Sequence, residues 1–203
     1  MTTKNPASAC LIALLLTGCG GKVLHPSYYT LEIPSPPKPP ATDAIVAATL
    51  AVRRFETAPY LRQGRIVYRE SAQQVGFYEY RRWASDPAMS VTDAMIDSVR
   101  TARLFSFVKL YDGQDKPDYV MSGRLERLDE IDYGDGVRVE AKLSADLVNV
   151  RTGATVWSES ASSEFRVDTR DMESVVAEMS HAVEKSVGQL VTSLTDKVRT
   201  MNP

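Results

Sequence analysis

Cysteine and histidine are scarce in this sequence: Cys10 and Cys19 are the two cysteines of the 203 residues, His25 and His181 the two histidines. No Cys, His or carboxylate stands at ligand spacing from either histidine, so no zinc-type donor set is legible. No Gly-x-Ser-x-Gly elbow is present. Gly134-Asp135-Gly136 lacks the third glycine and the strand-to-helix context of a dinucleotide loop. Asp129, Glu130, Asp132 and Asp135 cluster, but they miss the ligand spacing and the glycine of a calcium loop, and a solvated acidic turn is the expectation. These absences read against an enzyme and against a metal site. The net charge of −2 gives none of the basic footprint that nucleic acid requires. No apolar run approaches the roughly 20 residues of a bilayer-crossing helix.

What is present begins at the N-terminus. A polar lead with one basic residue, Lys4, precedes a short apolar run from Ala9 to Leu16, which ends in Leu16-Thr17-Gly18-Cys19. The run has the length of a signal-peptide h-region. The last four residues resemble the bacterial lipobox at every position: small Gly18 leaves room for a peptidase, and the thiol of Cys19 can carry a thioether-linked diacylglycerol. On that reading residues 1–18 are a lipoprotein signal peptide, and cleavage between Gly18 and Cys19 leaves Cys19 as the acylated N-terminus. No cofactor beyond that covalent lipid is expected. With Cys10 removed and Cys19 acylated, no intrachain disulfide can form, and the fold stands on its core alone. The hydrophobic content of 43% and charged content of 25% allow such a core.

Residues 19–44 form a lipid-anchored N-terminal segment: a polar leash, an edge strand at Tyr28 to Ile33, and Pro34-Ser35-Pro36-Pro37-Lys38-Pro39-Pro40. That run favours a stiff polyproline II connector. The body, 45–203, reads as strands at Ile45 to Phe55, Arg65 to Glu70 and Val75 to Arg82, the last two a hairpin; Tyr60-Leu61 falls in a loop. Asp86-Pro87 is an N-cap followed by proline at the first helical position. Val91, Ala94, Met95, Val99 and Ala102 then recur at three and four residues, and the helix ends near Arg103. Phe105 to Tyr111 is the next strand. Three long strands follow: Tyr119 to Ile131, Val137 to Val150 and Thr155 to Val167, joined by glycine turns at Gly134-Asp135-Gly136 and Gly153. The middle one alternates apolar with charged or polar residues, as a half-buried strand does. A long helix closes the chain, with Val175, Met179, Val183, Val187, Leu190, Leu194 and Val198 on one face. Its first turn is acidic and its last basic, matching the macrodipole. The expected fold is α/β in the α+β sense: a single domain with a mixed, mostly antiparallel sheet and two main helices packed on it.

Several stretches together resemble one family, the ABC-type transport auxiliary lipoproteins, which include the paraquat-inducible lipoproteins. They are Tyr28-Tyr29-Thr30-Leu31, Ala58-Pro59-Tyr60-Leu61, Arg65-Ile66-Val67-Tyr68-Arg69, and Tyr80-Arg81-Arg82-Trp83-Ala84-Ser85-Asp86-Pro87. Asp118-Tyr119-Val120-Met121-Ser122-Gly123 and Thr152-Gly153-Ala154-Thr155-Val156-Trp157 also fit. The resemblance rests on their order and spacing. It implies a single α/β domain on the periplasmic face of the outer membrane. It also implies partners: an ABC permease and ATPase, and a substrate-binding protein with an MCE domain that carries lipids between membranes. It brings no catalytic residues. Gly20 follows Cys19, where an inner-membrane retention signal resembles Asp, so the outer membrane is expected. Candidate partner-binding residues are Tyr28, Tyr29, Tyr60, Arg81, Arg82 and Trp83; the plain alternative is that Trp83 and Tyr80 pack the strand–helix junction. A homo-oligomer is compatible with the reading. Two other functions compete: a lipoprotein activator of a peptidoglycan synthase or other envelope scaffold, and a hydrolase whose site the sequence hides. A leash of about 25 residues, extending at roughly 3.3–3.6 Å each, is short for the first.

Overall fold

The structure is a computed structural model that describes residues 24–35, 37, 44–114 and 116–201. The signal, Gly18, Cys19 and most of the proline-rich connector lie outside the described residues. In chain order the strands are β1 (Ser27–Tyr29), β2 (Val46–Val52), β3 (Glu56–Thr57), β4 (Arg65–Arg69), β5 (Val75–Trp83), β6 (Phe105–Leu110), β7 (Tyr119–Ile131), β8 (Arg138–Asn149) and β9 (Thr155–Arg166). Helix α1 (Pro87–Thr101) separates β5 from β6, and α2 (Met172–Met201) ends the chain.

One strand organises the sheet. β7 borders β8 along its whole length on one side. On its other side it takes β2 at Tyr119–Met121, β3 at Arg124–Leu125 and β4 at Asp129–Ile131, each parallel. The sheet therefore branches: β2 leads to β6, β4 leads to β5 and then β1, and β8 leads to β9. The sheet is mixed. The antiparallel pairings are β4–β5 and the two long ladders β7–β8 and β8–β9; each parallel pairing is shorter than these two ladders.

The sequence reading of Ile45 to Phe55 as one strand is divided by the structure. β2 stops at Val52; Arg53 and Arg54 are exposed, and Phe55 turns inward. The reason is Gly123 of β7. A Cβ built there would lie 2.3 Å from the Phe55 ring, so the missing side chain is the space the ring fills. The backbone N–H of Phe55 donates to Thr92 Oγ1 of α1 at 3.0 Å, which fixes the turn. Tyr60 and Leu61 lie in a short 3-10 helix, Pro59–Gln63, closed by Gly64 at φ 67°.

α1 starts as its sequence dictates: the Asp86 carboxylate accepts from the Ala88 N–H at 3.0 Å, and Pro87 opens the first turn. The helix ends against Arg103, whose φ is 52°. At the start of α2, Asp171 accepts from both the N–H and the hydroxyl of Ser174. The two helices pack on each other and on the sheet. Between them lies one core, in which Leu50, Met95, Met121, Leu125, Leu143, Leu147, Met179, Leu190 and Leu194 are fully buried. Polar ties set the register of α2: Ser186 Oγ donates to the Ala141 carbonyl, and Trp157 Nε1 to Ser193 Oγ at 3.1 Å. Among the described residues no helix is long and apolar enough to cross a membrane.

Candidate functional site

The chemistry-bearing side chains gather where the β4–β5 hairpin joins β7. Asp129 of β7 is fully buried. Its Oδ2 accepts from Arg69 Nε at 2.5 Å and its Oδ1 from the Tyr60 hydroxyl at 3.0 Å. Arg127 lies 4.0 Å away and is itself paired with Glu140 at 2.7 Å. Burial pushes the Asp129 carboxyl above the ordinary range, against the pull of the Arg69 guanidinium and the Tyr60 hydroxyl. The next residue, Glu130, points to the other face and accepts from the Tyr78 hydroxyl at 2.9 Å. Burial, together with the nearby charge of Asp132, raises its pKa too. Tyr60 and Tyr78 are correspondingly pushed up, first by burial and then by the carboxylates they face.

This corrects the expectation of a solvated acidic turn. Asp132 and Asp135 are exposed, but Asp129 and Glu130 are inside, each held by groups from the hairpin or the 3-10 helix. Among the described residues no group of three His, Cys, Asp or Glu side chains comes together to hold a metal. His181 is exposed on α2, with Nδ1 3.2 Å from Glu178.

Of the six candidate contact residues, five share one edge of the sheet. β1 runs parallel to β5 with Ser27, Tyr28 and Tyr29 opposite Arg81, Arg82 and Trp83. Strand alternation divides them between two faces. On the inner face, Arg81 donates to the Tyr29 hydroxyl at 2.9 Å and to Ser27 Oγ at 3.0 Å, and Trp83 is buried in the core. This face borders a groove of about 830 Å³ against α2, whose lining includes Tyr28, Tyr29, Glu32, Ile33, Glu173 and His181. On the outer face lie Arg82 and Tyr28, the latter 62% exposed. Tyr60, the sixth, is apart from them, inside the Asp129 cluster. What the arrangement offers is a buried polar knot that fastens the β4–β5 hairpin to β7, and beside it an edge with a groove on one face and exposed Tyr28 on the other.

No curated protein matches the sequence. Solved structures share the fold. A DUF330 protein of Xanthomonas campestris superposes with a TM-score of 0.72 at 17% identity, over 86% of this chain and 99% of its own. A hypothetical protein of Chlamydia trachomatis gives 0.52 at 6% identity, over 76% and 99%. PelC of Paraburkholderia phytofirmans, a dodecamer, gives 0.50 at 15% identity, over 76% and 95%. The family model for the ABC-type transport auxiliary lipoprotein component matches residues 29–191, from β1 into α2, and the chain belongs to that family.

Proposed function

We propose that the protein is an outer-membrane lipoprotein, held at the periplasmic face by acyl groups on Cys19. In this reading it serves an ABC transporter that works with an MCE-domain protein in carrying lipid between membranes. It acts by docking and carries out no chemistry of its own. The observation that carries the reading is the family match over residues 29–191. The lipobox at Leu16 to Cys19 and the Gly20 that follows it supply the anchor and the choice of membrane. A domain on a short tether is confined near the bilayer, which raises its effective concentration for a partner there. Arg81 and Tyr29, on the groove face, are the proposed partner contacts; Trp83 and Tyr60 hold that end of the sheet in shape. The dodecameric PelC makes an assembly of several copies part of the proposal. The exposed edge strand β6, with Phe107 69% exposed, is a surface on which copies could meet.

The test is a pull-down of the mature protein against envelope proteins, with intact mass measured on the same preparation. An MCE protein and a permease should co-purify, and the mass should correspond to a chain that begins at acylated Cys19. Recovery of a peptidoglycan synthase in their place would overturn the transport reading. An unmodified thiol with the leader attached would overturn the anchor. Arg81→Ala should weaken co-purification; unchanged recovery with an intact fold removes Arg81 from the interface.

A further inference from the structure

Two guanidinium groups oppose each other on the outer face of the anchored flank, with no carboxylate to neutralise them. Arg82 of β5 is in register with Arg65 of β4 on one side and with Tyr28 of β1 on the other. Residues directly opposite across neighbouring strands share a face, and like charges so placed repel. Among the described residues neither arginine forms a salt bridge. The Nε of Arg82 is buried and has no hydrogen-bond partner. Trp83 Nε1 and Arg138 Nε are likewise buried without a partner, so what the patch offers an outside acceptor is the part of the two half-buried arginines that stays open. Tyr80, exposed two residues before Arg82, stands apart from this pair: it faces the Glu79 carboxylate, and the β4–β5 register shifts between Arg65 and Val67.

We propose that this face, made by Tyr28, Arg65 and Arg82, seats on the anionic phospholipid surface that carries the anchor. The inference rests on the lipoprotein reading above and adds how the domain lies on its membrane. Two arguments choose the occupant. The first is where the chain leaves: Ser27 begins β1, and the stretch back to Cys19 spans about 30 Å even at a fully extended 3.3–3.6 Å per residue. This flank is therefore the part of the body held nearest the bilayer. The second is complementarity. Guanidinium forks pair with phosphate oxygens in two-point geometry, and exposed tyrosines settle at headgroup level. The full chain carries −2, and loss of Lys4 with the signal leaves −3, so an anionic surface repels it except through such a patch, which fixes its orientation. A basic patch is also the kind of second signal that firms up an acyl anchor.

The test uses the mature lipoprotein on vesicles of phosphatidylcholine alone and of phosphatidylcholine with phosphatidylglycerol. Flotation measures partitioning, and energy transfer from tryptophan to a dansyl-labelled lipid measures closeness of the domain. Transfer should rise with phosphatidylglycerol and fall back in high salt. The R65Q/R82Q pair should lose on the order of 20-fold of the extra partitioning that phosphatidylglycerol brings. Tyr28→Ala, at an exposed position where the fold is not at stake, should lower the transfer as well. Flotation on phosphatidylcholine alone reports the anchor. The difference between vesicle types reports the patch and is read whether or not the chain is acylated, so the two readings fail separately. Equal transfer on both vesicle types would overturn the proposal. So would a folded R65Q/R82Q variant that behaves as wild type, or one that loses an acidic protein partner and keeps its lipid response.

Discussion

At the scale of single residues the buried carboxylates decide most. Asp129→Ala leaves the Arg69 guanidinium without its buried counter-charge, while the Tyr60 hydroxyl keeps only the Glu126 carbonyl at 3.2 Å. Breaking such a pair costs about 3–5 kcal/mol, whereas Tyr60→Phe, which removes one donor, costs about 1 kcal/mol. Urea unfolding of both variants checks the contrast. Glu130 gives a pH signature. Its pKa is raised on folding, so its contribution to stability is full below the ordinary carboxylate value and is lost as pH rises through the raised one. Glu130→Gln, which still accepts from Tyr78, should flatten the fall in stability on going from acid to neutral pH; denaturation midpoints at several pH values measure it. None of this was legible in the sequence. Asp129 stands among acidic residues beside a glycine turn, and its partners Arg69 and Tyr60 are 60 and 69 positions away. Local pattern assigns such a cluster to solvent, and only the tertiary pairing draws half of it inside.

At the scale of elements the sequence was far more informative. The period-two alternation of β8 and the three-and-four spacing on both helices each report a buried face, and the structure follows them closely. The Asp86-Pro87 cap and the Gly153 turn, φ 71°, were readable because a specific backbone geometry demands those residues. Where the reading slipped, at the break between β2 and β3, the cause was Gly123, a residue on another strand. The long helix also holds a weak point. Gly188 lies within α2 on its exposed side, and a Cβ there meets nothing within 4 Å. Gly188→Ala should therefore stabilise the protein by about 0.5–1 kcal/mol. Leu190→Ala, two positions on but fully buried, should cost about 2–5 kcal/mol. Thermal denaturation of the two variants separates propensity from packing on the same helix.

At the scale of the whole molecule the arrangement depends on β7. Sequential hairpins could be anticipated, and the long antiparallel ladders were. The three short parallel contacts along the other side of β7 join segments remote in sequence, and no turn signal announces them. Their layout has a mechanical consequence. The first strand, β1, has three residues and a single neighbour, while β7 is bonded on both sides for most of its length. If the chain is held through Cys19 as proposed, a pull on that end reaches β1 before it reaches the ladders of β7, β8 and β9. Amide exchange should accordingly be fast at Ser27–Tyr29 and slowest in β7 and β8, and under the proposed anchoring that joint would yield first, as a fuse does.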